Sequence, residues 1–241
     1  MSAIVSIRDV EKEYHLGKVV VPALRGVNLE VHPGEFISIA GPSGSGKTTL
    51  LNLIGCVDTA TRGLVQVSGQ DTAKLTEKKL TELRLNTIGF IFQSFNLVAV
   101  LDVFQNVEFP LLLQGKLSAG ERRKRVLELL EQVGLEKHAK HRPSELSGGQ
   151  RQRVAVARAL VTKPQIVLAD EPTANLDSTT GQNIIDLMRG MNQRDGTTFI
   201  FSTHDARVMA HAQAVVQISD GKIQGRITPA EATAQAAAGL H

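Results

Sequence analysis

Residues 41–48 read Gly41-Pro42-Ser43-Gly44-Ser45-Gly46-Lys47-Thr48 and match the pattern G-x-x-x-x-G-K-[ST] at every fixed position. The apolar run from Phe36 to Ala40 before them predicts a buried strand, and the residues from Thr48 to Ile54 predict a buried helix. A glycine-rich loop in this context turns backbone N–H groups inward, beside the positive end of the helix. The pattern therefore predicts a phosphate-binding loop, in which Lys47 reaches the β and γ phosphates and Thr48 contacts Mg²⁺.

Two further apolar runs end in polar residues. The run from Ile166 to Ala169 is followed by Asp170 and Glu171, and the run from Thr198 to Ser202 is followed by Thr203-His204-Asp205. In open parallel sheets ligands bind at the carboxyl ends of the strands, so we expect these ends to converge on the phosphate loop. Asp170 is then a Mg²⁺ contact through water, and Glu171 orients or deprotonates the attacking water. Since Pro172 and Thr173 follow, the two acids could instead cap a helix.

A second glycine motif, Leu146-Ser147-Gly148-Gly149-Gln150, stands directly before the helical pattern R-Q-R-V-A-V-A-R-A-L. Ser147 is the predicted N-cap, and Val154, Ala157 and Val161 share one apolar stripe. A serine hydroxyl, two glycines and a helix N-terminus form a second anion-binding end. The alternative is that the motif is only a helix start.

The rest of the chain shows three kinds of pattern. The N-terminus is predicted to be rich in strands, and residues from about Val98 to Val161 are predicted to form a helical subdomain, with Pro110 and Pro143 as helix boundaries. The tail after Gly225 is alanine-rich and is either a loosely docked helix or disordered.

Composition bounds the class of protein. The 241 residues are 42% apolar and 21% charged, which is typical of a globular chain with a sizeable core. The net charge of +3 is spread along the chain, and its densest basic cluster, Arg122 to Arg125, reads as a solvated helix face, so nucleic acid is not expected as a partner. Cys56 is the only cysteine, which excludes an internal disulfide and fits a reducing compartment. Without an export signal or about 18 consecutive apolar residues, we expect a chain that neither is exported nor spans a membrane.

From about Ile4 to Ile223 the sequence closely resembles the ABC ATPase family. G-P-S-G-S-G-K-T-T is similar to its Walker A loop and adds Thr49, while L-S-G-G-Q is similar to its signature motif. I-V-L-A-D-E resembles its Walker B strand, with Glu171 as the catalytic glutamate.

Shorter segments carry the same resemblance. Gln93 in F-Q-S-F-N-L resembles the Q-loop, Asp177 ends a segment like the D-loop (Ala174-Asn175-Leu176-Asp177), and His204 in S-T-H-D resembles the switch histidine that contacts the γ-phosphate. Tyr14 falls where the family stacks an aromatic ring on adenine, although a lone tyrosine is more often part of a core.

The resemblance implies a full set of site residues. The catalytic residues are Lys47, Glu171 and His204, and the metal contacts are Thr48, Gln93 and Asp170. The nucleotide contacts are Tyr14, Gly41, Pro42, Ser43, Gly44, Ser45, Gly46, Lys47, Thr48, Thr49, Gln93, Ser147, Gly148, Gly149, Gln150 and Asp177.

The fold class implied is α/β: a P-loop NTPase (RecA-like) core with an N-terminal antiparallel β subdomain and an inserted α-helical subdomain. Residues 1–227 would form a single ABC ATPase domain, with its core at about 1–95 and 162–227 and its helical subdomain at about 96–161. Residues 228–241 would form the alanine-rich tail.

The function implied is ATP hydrolysis, with ATP and Mg²⁺ as cofactors, that powers an integral membrane permease on a separate chain. ATP binding would close a head-to-tail homodimer, in which each ATP lies between one chain's phosphate loop and the other chain's signature. The expected location is the cytoplasm, peripheral on the cytoplasmic face of the inner membrane, where Gln93 to Val98, with Phe95 and Leu97, would receive a permease helix.

Particular phrases resemble the branch of lipoprotein-releasing, macrolide-efflux and cell-division ATPases, so an export system of the first two kinds is favoured. The alternatives are a mechanical ATPase of a cell-division complex and, less favoured, a soluble ABC protein that acts on ribosomes or DNA. The last kind usually carries two cassettes or long coiled coils, and this chain has one cassette and no heptad run.

Overall fold

The structure, a computed structural model, describes residues 2–237. The chain forms two compact units, one of Met1–Arg84 with Thr198–His241 and one of Leu85–Thr197. We refer to these as unit 1 and unit 2 and describe each by itself. The predicted core and helical-subdomain boundaries stay a prediction.

In chain order the elements of the described residues are β1 Val5–Leu16, β2 Val19–Val31, β3 Phe36–Ala40, α1 Lys47–Ile54, β4 Arg62–Val67, β5 Gln70–Asp71, α2 Glu77–Thr87, β6 Ile88–Ile91, α3 Val103–Gln114, α4 Ala119–Gln132, α5 Gly148–Leu160, β7 Ile166–Asp170, α6 Ser178–Asp195, β8 Thr198–Thr203, α7 Ala206–Met209, β9 Ala214–Ser219, β10 Lys222–Ile227 and α8 Pro229–Ala237.

Unit 1 contains an antiparallel sheet in the order β2-β1-β4-β5. Val5 on β1 pairs with Val31 on one side and with Val67 on the other, and all three side chains are fully buried. Because these valines share one face of the sheet, the register is specified by their burial. The predicted strand-rich N-terminus and antiparallel β subdomain are confirmed.

A second set of unit 1 strands positions the phosphate loop. β3 lies between β8 and β9 and is parallel to both, while β10 pairs antiparallel with β9. Every residue of β3 and β8 is buried, as the continuous apolar runs predict for a strand covered on both faces. Ala40 pairs with Thr203, so the residues that follow β3 and those that follow β8 leave the sheet at the same edge.

Unit 2 combines one parallel strand pair with helices. β6 and β7 run parallel, with Ile91 opposite Ala169. The predicted stripe of Val154, Ala157 and Val161 is fully or almost fully buried at α5. The helical prediction for this part of the chain is confirmed by α3, α4 and α5.

The prediction that Pro110 marks a helix boundary is wrong, because Pro110 lies inside α3. A reciprocal capping box between Asp102 and Gln105 starts this helix, and Gly115, in a left-handed conformation with φ 63°, ends it. The proline removes only one backbone hydrogen bond, while the buried face of α3 keeps the helix in place. Pro143 opens the short 3₁₀ helix Pro143–Glu145, so the boundary predicted there is confirmed.

The described part of the alanine-rich tail forms α8. Glu231 accepts hydrogen bonds from the backbone N–H and the hydroxyl of Thr228, both at 2.8 Å, and Ala232 is buried. The helix is thus the alternative that the described residues adopt, and residues 238–241 lie outside them. Among the described helices, none combines the length and apolar character needed to cross a bilayer.

Candidate functional site

The phosphate loop of unit 1 is built around a buried lysine. The Lys47 ammonium donates to the carbonyl oxygens of Gly41 at 2.8 Å and Pro42 at 2.9 Å, and the residue is only 8% exposed. An ammonium has three donors, so this geometry holds it in the loop and leaves a donor for a phosphate oxygen. Lys47 is also the first residue of α1, as the motif requires.

Two glycines of the loop have no room for a side chain. A Cβ on Gly41 would lie 2.0 Å from the carbonyl oxygen of Ile218, and one on Gly46 would lie 2.7 Å from that of Ala23. Gly46 is in addition left-handed, with φ 105°, where an L side chain is strained. The loop therefore approaches neighbouring backbone more closely than any other residue type would permit at these positions.

The donors of the loop suit an anion. Gly46 is the N-cap of α1 and has no side chain to satisfy the first turn, so that end of the helix favours a negatively charged ligand. The Ser45 hydroxyl is buried and makes no hydrogen bond within the protein. A buried hydroxyl without a partner costs free energy unless a ligand engages it, so these residues fit the phosphates of a nucleotide.

His204 follows β8, the strand that pairs with β3 ahead of the phosphate loop. It directly follows Thr203, the partner of Ala40, and its side chain is exposed. The next residue, Asp205, caps the short helix α7 and pairs with Arg207 at 2.7 Å. Hydrogen bonds from the Arg207 guanidinium lower the pKa of the Asp205 carboxyl.

Tyr14 lies on β1 in unit 1 and is neither fully buried nor fully exposed. Its hydroxyl donates to a carboxylate oxygen of Asp58 at 2.9 Å. Tyr14 is therefore not part of the fully buried core.

In unit 2 the two carboxylates follow a buried strand as predicted. Asp170 is the last residue of β7, and Glu171, the next residue, has a left-handed φ of 46°. A non-glycine residue in that region costs roughly 1 to 3 kcal/mol and persists where its surroundings demand it. The alternative role as helix caps is wrong, because Asp177 caps the helix that follows.

Gln93 and the D-loop-like segment are in direct contact. The amide of Asn175 donates to the backbone carbonyl oxygen of Gln93 at 2.9 Å. Gln93 itself follows β6, which pairs with β7, so the Gln93 and Asp170 strand ends lie at one edge. The Asp177 carboxylate accepts from the backbone N–H of Thr180 at 3.0 Å. Hydrogen bonds from the side chain and the backbone of Thr180 lower the pKa of this carboxyl.

The second glycine motif forms a reciprocal capping box. The Ser147 hydroxyl accepts from the Gln150 backbone N–H at 3.2 Å, and the Gln150 side chain accepts from the Ser147 backbone N–H at 2.8 Å. Since the hydroxyl acts as acceptor in this bond, its own hydrogen remains available as a donor. The predicted helix start and the Ser147 cap are confirmed, and anion binding at this helix end stays a prediction.

The two glycines of that motif differ in their surroundings. A Cβ on Gly149 would lie 2.4 Å from the Thr180 methyl group, whereas one on Gly148 would meet Leu176 at an ordinary 3.4 Å. Gly149 is therefore required by the close approach of α6, and Gly148 keeps the helix end open.

Phe95 and Leu97, expected to be exposed, are only partly so. The Arg151 guanidinium lies 5.1 Å from the centre of the Phe95 ring, and Arg158 donates to the carbonyl oxygens of Phe95 and Asn96. The exposed large apolar side chains of this region are Val98 and Val100, at 39% and 75%.

Sequence reasoning did not identify three residues that contact the predicted site residues. Lys12 and Asp58 contact Tyr14, and His138 contacts the signature residue Gln150 at 3.1 Å. The alternation of β1 places Lys12 on the same face as Tyr14 and could have indicated it. Asp58 and His138 are distant in sequence, and no motif marks them.

A metal site made of protein side chains alone is absent from the part of the chain that the structure describes, since no group of three or more His, Cys, Asp or Glu residues is arranged for one. Mg²⁺ is usually held by one or two protein ligands together with phosphates and water. Thr48, Asp170 and Gln93 supply oxygen atoms, which is the donor chemistry that Mg²⁺ prefers.

Comparisons with known proteins agree with this chemistry. Residues 24–174 match the family model described as ABC transporter. The chain is 46% identical to an uncharacterised ABC transporter ATP-binding protein, MJ0796, of Methanocaldococcus jannaschii, over 91% of this chain and 95% of that protein. It is 44% identical to the macrolide export ATP-binding/permease protein MacB of Syntrophobacter fumaroxidans, over 92% of this chain but 31% of that longer protein. A solved dimer of the MJ0796 cassette in a post-hydrolysis state, bound to ADP and Pi, superposes with a TM-score of 0.87 at 45% identity and covers 93% of this chain and 98% of that one.

Proposed function

Because the chain belongs to the ABC transporter family of ATP-binding proteins, we propose that it forms a head-to-tail dimer that drives a membrane permease. In this dimer each chain binds one ATP at the N-terminus of α1 and contacts the other ATP at the N-terminus of α5. The chain is an ABC ATP-binding cassette that hydrolyses ATP. One observation supports the proposal above others: each chain carries two helix N-termini of the kind that binds phosphate, that of α1 after the phosphate loop and that of α5 capped by Ser147.

The phosphate loop performs the binding step. Lys47, fixed by two carbonyl oxygens, supplies a positive charge to the β and γ phosphates, and Ser45 and the first turn of α1 donate to the same oxygens. Mg²⁺ held by Thr48, Asp170 and Gln93 would neutralise part of the charge on the phosphates. The remaining nucleotide contacts are the loop residues from Gly41 to Thr49 and the Tyr14 ring against the adenine.

The hydrolytic step belongs to Glu171 and His204. Glu171 orients or deprotonates the attacking water, and its left-handed backbone is the kind of strained conformation that clusters at functional sites. His204 contacts the γ-phosphate, which matters most as charge shifts onto that group in the transition state. The signature residues Ser147 to Gln150 and Asp177 complete the site from the partner chain.

Replacing Glu171 with Gln tests both the hydrolytic role and the dimer. We expect Glu171→Gln to bind ATP but to turn over about 10² to 10⁴-fold more slowly, because a positioned general base is lost. The trapped ATP should then hold two chains together, seen as a doubled mass by size-exclusion chromatography with light scattering. The double variant Lys47→Ala/Glu171→Gln is the control and should remain monomeric. Monomeric Glu171→Gln at saturating ATP and Mg²⁺ would rule out the dimer.

The partner on the membrane side is a permease on a separate chain, and the cassette works at the cytoplasmic face of the membrane. MacB is named as a macrolide export ATP-binding/permease protein, and this chain matches 31% of the length of MacB. That similarity favours an export system of the macrolide or lipoprotein type. The docking region proposed is the segment from Gln93 to Val98 with its neighbour Val100, where apolar side chains are exposed.

A further inference from the structure

Tyr14 is held in place by two charged residues that lie outside every motif described above. The Lys12 ammonium donates to one carboxylate oxygen of Asp58 at 2.6 Å, and the Tyr14 hydroxyl donates to the other at 2.9 Å. Lys12 also donates to the carbonyl oxygen of Thr59 at 2.9 Å. Both Asp58 oxygens are thus engaged by named donors, and this fixes the edge of the Tyr14 ring.

Lys12 also covers one side of the ring. Its ammonium lies 4.9 Å from the ring centre, within the range of a cation–π contact. The Lys12 side chain is 11% exposed and that of Asp58 27%, so this ion pair is shielded more than an ordinary surface pair. With Lys12 over one face, a flat ligand can stack only on the other face of Tyr14.

Asp58 and the phosphate loop belong to the same short piece of chain. Asp58 follows α1, whose first residue is Lys47, and the backbone N–H groups of Val57 and Asp58 both bond to the Asn52 carbonyl oxygen. The left-handed Cys56, with φ 54°, makes the tight turn between them. Because Asp58 lies in the turn after α1 and accepts from the Tyr14 hydroxyl, this helix and turn link the Tyr14 ring to the phosphate loop.

We propose that Lys12 and Asp58 are positioning residues that orient the Tyr14 ring so that its open face receives the adenine while the phosphates lie in the loop. This inference rests on the proposed nucleotide site and adds two residues to it. Neither residue touches the reacting atoms. Their contribution is to hold the ring before ATP arrives, so that less conformational entropy is lost on binding.

Three variants test separately the Tyr14 ring, the Tyr14 hydroxyl and the Asp58 carboxylate that accepts its hydrogen bond. Tyr14→Ala removes the ring, Tyr14→Phe keeps it without the hydroxyl, and Asp58→Ala removes the acceptor. We expect Tyr14→Phe and Asp58→Ala each to raise KM for ATP about threefold to tenfold, the scale of one net hydrogen bond, with kcat near wild type. The double variant Tyr14→Phe/Asp58→Ala should have a KM for ATP no higher than that of either single variant, because both substitutions remove the same hydrogen bond. Tyr14→Ala should raise KM about tenfold or more, the scale of a lost base stack.

Inorganic tripolyphosphate and tyrosine emission give two further readouts. Tripolyphosphate has no base, so its affinity should be the same in wild type and in all four variants. Tyr14 is the only tyrosine and the chain has no tryptophan, so its emission reports one site. A carboxylate that accepts the phenol hydrogen bond quenches this emission, so Asp58→Ala should be brighter without nucleotide.

Each contrary result would overturn a different part of the proposal. Unchanged KM for Tyr14→Ala would overturn the adenine role of Tyr14 in the proposed function. A raised KM for Tyr14→Ala with a wild-type KM for Asp58→Ala would overturn the positioning inference alone. The same conclusion would follow if Asp58→Ala lost as much affinity for tripolyphosphate as for ATP. If Asp58→Ala leaves Lys12 unpaired and unfolds, Lys12→Met/Asp58→Ala removes the whole pair and the same outcomes apply to it.

Discussion

At the scale of single residues, the site depends on contacts that tolerate no added atoms. Gly149 is the clearest case, since its α-carbon faces the Thr180 methyl group. Threonine is stiff about χ1, and the Thr180 backbone N–H is also tied to the Asp177 cap, so the methyl group cannot move away at little cost.

We expect Gly149→Ala to lower the free energy of unfolding by about 1 to 3 kcal/mol, the usual cost of one overpacked methyl group. Thr180→Ser removes the methyl group that would clash, so Gly149→Ala/Thr180→Ser should recover most of this loss. Gly190→Ala is the matched control on α6, where a Cβ meets nothing within 4 Å, and should gain about 0.5 to 1 kcal/mol. Urea unfolding measures all four proteins, and a failure of the serine to rescue would contradict the steric account.

The buried thiol of Cys56 should make the free energy of unfolding depend on pH. Burial raises the pKa of its thiol from 9.0 to about 11, with the Arg84 charge acting weakly in the opposite direction. The folded chain therefore keeps the proton at a pH where the unfolded chain releases it. This contribution to stability is fully present below pH 9 and is lost as the pH rises through about 11.

The measurement is the free energy of unfolding between pH 8 and 11 for wild type and Cys56→Ala. Other groups titrate in this range in both proteins, so the difference between the two curves isolates the thiol. That difference should shift in favour of Cys56→Ala as the pH rises. Parallel curves would mean that the thiol is not buried from solvent in the folded chain.

At the scale of elements, α5 holds the segment that follows β6. Arg158 donates to the carbonyl oxygens of Phe95 at 2.8 Å and Asn96 at 2.5 Å, and both of these residues are left-handed, with φ 64° and 48°. Non-glycine residues in that conformation need support from their surroundings. The helix that carries the signature motif therefore also supports the region proposed to meet the permease.

We expect Arg158→Met to release this segment, because methionine keeps much of the apolar stem and loses both hydrogen bonds. Amide hydrogen exchange of residues 95–98 should speed up by about tenfold or more, whereas the amides of α5 should change little. Arg153→Met is the control: Arg153 bonds to the Val133 carbonyl oxygen at 2.9 Å, so residues 95–98 should exchange as in wild type. Equal exchange in both variants would show that Arg158 does not hold the segment.

At the scale of the whole molecule, the cassette is proposed to act through contacts with other chains: a second copy across ATP and a permease at the membrane. The contacts with the permease should leave the ATP chemistry intact when they are lost. Exposed apolar residues away from the nucleotide are the place to test this, since their substitution does not disturb a core.

Val100 is 75% exposed and adjoins the proposed docking segment. We expect Val100→Asp to keep the basal ATPase rate and ATP-driven dimerisation, and to lose stimulation by the cognate permease in detergent or lipid. Leu16→Asp is the matched control, because Leu16 is 69% exposed in unit 1 and adjoins no part of the docking segment in sequence. A Val100→Asp protein with full permease stimulation would place the docking region elsewhere.

Local chemistry made the phosphate loop, its strand and its helix predictable from sequence. The motif needs only neighbours in the chain, and the predicted strand from Phe36 to Ala40 has the bounds observed in the structure. The same holds for the Ser147 cap, because a capping box spans three residues. The family and the ATPase activity follow from these local motifs, and the roles of the individual site residues remain predictions.

Tertiary structure decided what local patterns could not. Pro110 was expected to end a helix, but the cap at Asp102 and a buried helix face outweigh one missing hydrogen bond. Asp58 lies 44 residues from Tyr14 in sequence, and its role depends on the pairing of β1 with β4 and the turn after α1. Short-range preferences select helices, turns and caps, whereas contacts between distant residues form only once the chain has buried its apolar faces and brought them together.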